Sequence, residues 1–93
     1  MARVDAALLI VGHNQKDEAL ATACRETAKA GMPEAVLKGI PSIIGQNLRD
    51  QVAEDCALKL RDAGKMPEAT QVATLITGSN KRDEVLKKLA SGS

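Results

Sequence analysis

The chain has 93 residues, with 13 Lys and Arg against 12 Asp and Glu, and it contains no Phe, Tyr or Trp. This length allows one domain, residues 1–93, with a small core. A formal net charge of +1 gives no field that would gather nucleic acid or anionic lipid, and bases have no aromatic ring to stack on. The longest apolar run, residues 6–11, is too short to span a bilayer. We therefore expect a cytoplasmic protein that binds neither nucleic acid nor membrane.

A 33-residue internal repeat runs along the whole chain. Its first marker carries Gly, then Asn two positions later and Asp five positions later, and it occurs at 12–17, 45–50 and 78–83. A second marker at 30–35 recurs at 63–69, where Lys65 is inserted. Repeats of this length are typical of stacked helical hairpins. We predict an all-α fold of three tandem helix-turn-helix hairpins, units 1–32, 33–65 and 66–93, stacked as a short right-handed superhelix.

Each unit is predicted to contain a leading helix followed by a trailing helix. In chain order the six predicted helices are 3–11, 15–30, 34–44, 48–63, 68–77 and 81–91. The glycine of the first marker is expected to end the leading helix in a left-handed conformation. The Asn and Asp after it are expected to cap the trailing helix. These residues are Gly12, Asn14 and Asp17, with counterparts Gly45, Asn47 and Asp50, and Gly78, Asn80 and Asp83.

The second marker predicts the turn from a trailing helix to the next leading helix. Gly31 or Gly64 is expected to end the first of these, and Pro33 or Pro67 to occupy the first position of the second, where no N–H is needed. Inside the predicted helix 34–44, Pro41 removes a hydrogen bond and should bend or break the helix. Two interpretations stay open: Pro41 absorbs a difference in register between units two and three, or it shapes a groove for a ligand.

The trailing helices carry an apolar face that repeats every 33 residues. Positions 19, 20, 23 and 24 and their counterparts in the other two units are all apolar and form one helical stripe. On the leading helices, three positions are apolar or small in every unit and are predicted to be core. They are Ala6, Ala7 and Ile10, with counterparts Gly39, Ile40 and Ile43, and Val72, Ala73 and Ile76.

The repeat resembles tetratricopeptide and pentatricopeptide units. The resemblance is carried by the Asp17-Glu18-Ala19-Leu20 start of a trailing helix, by Leu75-Ile76-Thr77-Gly78, and by a Pro at the end of the unit. The resemblance implies a scaffold that binds a peptide or a helix along its leading helices. The RNA recognition of pentatricopeptide proteins is not expected, because nothing in this chain is strongly basic.

The other side of the leading helices differs between units. It is apolar in units one and two and threonine-rich in unit three, where it reads Thr70, Thr74 and Thr77. One interpretation is that neighbouring helices cover this side and that unit three is a polar terminal cap. The other is a binding face for a partner helix, a peptide or a second copy. We call its candidate residues the apolar stripe: Val4, Leu8, Val11, Leu37 and Ile44.

Signals for catalysis or metal binding are weak. His13 is the only histidine, and its counterparts are Gln46 and Ser79, so a solvated turn residue is favoured over a base or ligand. Cys24 and Cys56 lie on the apolar face of the trailing helices and are interpreted as small core residues, while a redox pair stays open. No metal, cofactor or catalytic residue is predicted. The chain is expected to be a non-enzymatic protein–protein interaction module, or alternatively a small chaperone or accessory subunit that a client helix stabilises.

Overall fold

The structure, a computed structural model, describes residues 13–91 of the chain. Over this range it contains five α-helices and no strand, which confirms the predicted all-α class. The helices are α1 (His13–Lys29), α2 (Pro33–Gly39), α3 (Gln46–Asp62), α4 (Met66–Ala73) and α5 (Ser79–Ala90), and a 3₁₀ turn (Ile40–Ser42) follows α2. The predicted helix 3–11 lies outside the described residues.

The long helix α3 lies at the centre of the packing. It contacts α1 on one side and α4 and α5 on the other, and the 3₁₀ turn after α2 also reaches it. The short helix α2 packs against α1 and α4. The three trailing helices α1, α3 and α5 therefore alternate along the chain with the short leading helices α2 and α4.

The core is formed by the positions that the repeat marked as apolar. All of the described leading-helix core positions are buried, as are most positions of the trailing-helix face. Exceptions are Ala19 and Leu86, which are partly buried, and Ala90, which is exposed. Leu86 and Ala90 of α5 correspond to Ala53 and Ala57 of α3, which are fully buried.

Gly31 and Gly64 end α1 and α3 as predicted, with φ of 74° and 80°. In each turn the glycine N–H and the N–H after it donate to carbonyls of the last helical turn; Met32 N lies 2.9 Å from Thr27 O, and Lys65 N lies 2.8 Å from Leu60 O. These bonds satisfy carbonyls that the helix end would leave unpaired. The next helix then begins with proline at its first or second residue.

The prediction for the other turn was wrong. Gly45 and Gly78 have φ of −66° and −75°, so neither is left-handed, and each is itself the N-cap of the trailing helix that follows. Helices α3 and α5 accordingly begin two residues earlier than predicted, and neither has a side-chain cap. Asn47 and Asn80 lie inside the helices, and Asp50 does not form the expected capping box.

The leading helices are shorter than predicted. Helix α2 ends at Gly39 and continues only as a 3₁₀ turn through Pro41, which confirms that the helix is interrupted there. Helix α4 contains no equivalent proline, yet it ends at Ala73, close to the position that corresponds to Gly39. Pro41 is therefore not required to end a leading helix at this point.

Candidate interaction surface

The carboxylate of Asp17 holds the turn between α2 and α3. Its Oδ1 accepts a hydrogen bond from Ile44 N at 2.9 Å, and its Oδ2 accepts one from Gly45 N at 2.9 Å. Asp17 is the fifth residue of α1, and only 8% of it is exposed. The contact links α1 to the start of α3, because it joins groups that are 27 and 28 residues apart.

Asp50 makes the same kind of contact one repeat later. As the fifth residue of α3, it accepts hydrogen bonds from Thr77 N at 3.0 Å and from Gly78 N at 3.3 Å. The Thr77 hydroxyl adds a bond to Asp50 Oδ2 at 3.0 Å. This hydroxyl also accepts a hydrogen bond from Gln46 Nε2 at 2.9 Å. We call the Asp17–Ile44–Gly45 and Asp50–Thr77–Gly78 contacts the first and second corners.

The pKa of Asp50 reports how well its corner stabilises a charge. Burial alone would raise this pKa, but the hydrogen bonds from Thr77 and Gly78 and the nearby Arg49 guanidinium outweigh it. The net result is a pKa below the usual range for Asp. Asp50 is therefore ionised in the folded protein under neutral conditions.

The Asp17 carboxylate lies close to Gly45 in the first corner. A Cβ added to Gly45 would lie 3.3 Å from Asp17 Oδ2, whereas one added to Gly78 would lie 3.6 Å from Asp50 Oδ2. Close approach of the carboxylate therefore favours glycine at position 45, whereas a side chain at position 78 would meet only an ordinary contact. Sequence reasoning missed the corners, although a signal was present: only Gly, Asn and Asp are identical in all three copies of the marker.

Beside the first corner lies the described part of the apolar stripe. Ile44 is 55% exposed, and Leu37 is partly buried against the core. Pro41, one helical turn from Leu37, is exposed. The remaining stripe residues, Val4, Leu8 and Val11, lie outside the described residues, so the stripe as a whole stays a prediction.

The corresponding side of α4 is polar. Thr70, Thr74 and Thr77 are all exposed. Thr70 and Thr74 bond back to main-chain carbonyls of their own helix, at 3.1 Å and 2.6 Å. This side is therefore at least partly exposed at both described leading helices. It carries Leu37, Pro41 and Ile44 in and after α2, and threonines in and after α4.

Ion pairs join the trailing helices along their outer face. Arg25 of α1 reaches Asp55 of α3 at 2.9 Å. Glu54 of α3 pairs with Lys81 and Lys88 of α5, each at 3.2 Å. These three pairs run between helices. Because their side chains are partly exposed to solvent, these pairs contribute little to stability.

The two cysteines are buried core residues. Both are free thiols, and neither is exposed. Burial raises the pKa of Cys24 to about 11. Burial, followed by the neighbouring Cys24 and Asp55, raises the pKa of Cys56 to about 12. Both thiols are therefore protonated and poorly nucleophilic in the folded chain.

Residues 13–91 contain no group of three or more His, Cys, Asp or Glu side chains that could hold a metal ion. Among the described helices, none combines the length and apolar character needed to cross a membrane. Comparison with protein-family models, curated proteins and solved structures finds no match for this chain.

Proposed function

We propose that the chain is a stack of three 33-residue helical hairpins and serves as a non-enzymatic protein–protein interaction module. In this proposal, a peptide or helix of a partner, or of a second copy, binds along the leading helices. The repeat organisation is supported by the starts of α1, α3 and α5 at His13, Gln46 and Ser79, which are 33 residues apart. The two corners, which have the same spacing, also support it.

The exposed Ile44 side chain is the observation that carries the binding proposal. Its backbone N–H holds the first corner, but its side chain contributes no hydrogen bond there and is 55% exposed. Thr77 fills the same place in the second corner, so the turn accepts a polar residue. Single exposed apolar side chains are common on protein surfaces, so the proposal depends on Ile44 together with the exposed Pro41 and the partly buried Leu37. We propose a cytoplasmic setting, in which Cys24 and Cys56 stay reduced.

The Ile44→Thr variant tests the binding proposal with little risk to the fold. It replaces the exposed isoleucine with the residue that the second corner already uses. We expect the partner complex, measured by light scattering after co-purification from the native source, to be lost in this variant.

The double variant Leu8→Asp/Val11→Asp should abolish it as well while leaving a helical monomer. A Glu34→Gln variant, changed at an exposed residue of α2 outside the stripe, serves as the control and should keep the complex. An unchanged complex in both stripe variants would defeat the proposal.

The composition of the core favours a second candidate, a small chaperone or accessory subunit. The largest fully buried side chains are Leu, Ile, Val and Cys, and many other core residues are Ala. Small buried side chains remove little apolar surface from water, so a docked client helix would add substantially to stability. Cooperative melting of the isolated protein at high temperature, independent of concentration, would remove the basis for this candidate.

A further inference from the structure

In the third trailing helix, α5, the equivalent aspartate accepts no hydrogen bond from a turn in the described residues. Asp83 is the fifth residue of α5, as Asp17 and Asp50 are the fifth residues of α1 and α3. Asp17 and Asp50 each receive two adjacent backbone N–H groups and are 8% exposed. The Asp83 side chain is 67% exposed, and its ion pair with Arg82 spans 4.0 Å. Within residues 13–91, no turn reaches it.

An apolar groove lies between α4 and α5. It has a volume of about 410 Å³ and is lined by Met66, Thr70, Leu86, Leu89 and Ala90. Leu86 and Ala90 correspond in the repeat to Ala53 and Ala57, which are fully buried in α3. At these two positions the face that α3 buries is partly exposed (Leu86) or exposed (Ala90) in α5. Asp83 precedes them by three and seven residues and so lies on the same side of the helix.

The group that would complete Asp83 is defined by the two existing corners. Each corner supplies the N–H of a residue, then the N–H of a glycine, directly before a trailing helix. Val11 and Gly12 are the corresponding pair in the sequence, since α1 begins at the next residue, His13. The apolar run 6–11 precedes them. The sequence thus contains both parts of a third such contact, namely Val11 and Gly12 near one end and Asp83 near the other.

We propose that a second copy of the chain docks head to tail on the α5 end, with its Val11 and Gly12 N–H groups on Asp83 and its apolar run 6–11 in the groove. The new interface continues the contact that already joins α1 to α3 and α3 to α5. Its two sides are different surfaces, so it is heterologous and copies add in series. The inference rests on the repeat organisation proposed above. Its docking segment 6–11 includes Leu8 and Val11 of the apolar stripe, so the variants that separate the two proposals are Ile44→Thr and Asp83→Ala.

Sedimentation velocity of the full chain, from about 10 µM to about 1 mM, tests the interface. We expect the wild-type mass to rise with concentration and the Asp83→Ala variant to associate at least about tenfold more weakly, because two charge-assisted hydrogen bonds are lost. Glu84→Ala is the matched control, since the side chain of Glu84 is 66% exposed on the same helix. It should associate within about twofold of wild type, as expected for loss of an exposed ion pair. A wild type that stays monomeric, or equal association of the two variants, would overturn the proposal.

A mixing experiment separates head-to-tail docking from a symmetric dimer. Labelled Asp83→Ala protein keeps the Val11–Gly12 side, so it should bind the free Asp83 of wild type while remaining monomeric alone. In excess it should stop growth and leave one-to-one complexes. Labelled variant that stays monomeric beside wild type would overturn the head-to-tail arrangement.

Circular dichroism checks that the variant is folded, and an Ala90→Arg variant, which blocks the groove without changing Asp83, should weaken association in the same way. The Ile44→Thr change should leave this assembly intact, so failure of the stripe and failure of this interface give different results.

Discussion

The two corners of the molecule have the same backbone contact and different side chains. In the first, Asp17 accepts hydrogen bonds from the N–H groups of Ile44 and Gly45. The isoleucine side chain has no polar atom and adds no hydrogen bond. In the second, the Thr77 hydroxyl adds to the contact with Asp50 and receives a bond from Gln46. Two backbone N–H groups are therefore sufficient to fix this turn.

The difference between the corners separates the residues that hold the turn from the one position that varies. The aspartate and the glycine are the same in both, because the carboxylate must approach two adjacent peptide groups. The residue before the glycine varies, because only its N–H takes part. An exposed isoleucine at that position is consequently free to contact a partner, whereas threonine strengthens the corner itself.

Removal of a corner aspartate should have the largest effect on stability. We expect Asp50→Ala to lower the free energy of unfolding by about 3 kcal/mol and Asp17→Ala by about 2 kcal/mol, because each strands two partly buried N–H groups and Asp50 also loses a hydroxyl. Urea denaturation followed by circular dichroism measures both changes.

Asp83→Ala is the matched control for both variants, since it changes the same position of α5 where no turn is held. Its stability should lie within about 0.5 kcal/mol of wild type. Equal losses of stability at all three positions would mean that each aspartate stabilises only the helix that contains it, and that the corner hydrogen bonds contribute nothing.

The second corner should also make stability depend on pH. The folded chain holds the pKa of Asp50 below its value in the unfolded chain, which is about 3.9. The unfolded chain therefore binds the proton more readily, and this contribution is present above about pH 4 and lost as the pH falls through the folded pKa. In Asp50→Asn the stability should fall less steeply with acid. Identical slopes between pH 5 and pH 2 would contradict the assigned charge of Asp50.

Exchanging the residues before the two glycines, Ile44 and Thr77, should have smaller effects on stability. Thr77→Ile removes the hydroxyl bonds to Asp50 and Gln46, so we expect a loss of about 1 kcal/mol. Ile44→Thr should leave stability unchanged within about 0.5 kcal/mol, since the isoleucine is largely exposed. Thermal denaturation of the two variants and the double exchange measures this. A large loss in Ile44→Thr would show that its side chain supports the fold.

The smallest expected difference concerns the two corner glycines. Gly45→Ala places a Cβ 3.3 Å from the Asp17 carboxylate, while the same change at Gly78 meets only an ordinary contact at 3.6 Å. Both variants replace a glycine N-cap with a poorer one, so that cost cancels in the comparison. We expect Gly45→Ala to be less stable than Gly78→Ala by about 0.5 kcal/mol, a cost typical of mild overpacking. The reverse order would contradict the close approach at the first corner.

Patterns that follow one helix at a time were predictable from the sequence. The apolar faces and the Gly31 and Gly64 turns depend on periodicity and on a single positive φ, and both were correct. The corners were not predictable in this way, because they join residues 27 and 28 positions apart. Locally, Asn47 and Asp50 fit a capping box. The hydrogen bonds that Thr77 donates to Asp50 compete with that arrangement only after α3 and α5 pack.

The candidate surface was partly predictable for the same reason. Comparison of the repeat copies marked Ile44 as a position that changes from apolar to polar, and the structure leaves it exposed. The open groove beside α5 depends on how the helices pack, since Leu86 and Ala90 follow the same apolar pattern as buried residues of α3. The apolar pattern of a single helix does not show whether another helix packs on that face, as one does on α3 but not on Ala90 of α5.

Hydrogen exchange of individual backbone amides, followed by NMR, tests the corner contacts most directly. We expect the N–H groups of Ile44, Gly45, Thr77 and Gly78 to exchange slowly although they lie outside the hydrogen-bonded helices. In Asp17→Ala, protection should fall at Ile44 and Gly45 and persist at Thr77 and Gly78. Rapid exchange of all four amides in the wild-type protein would contradict the account.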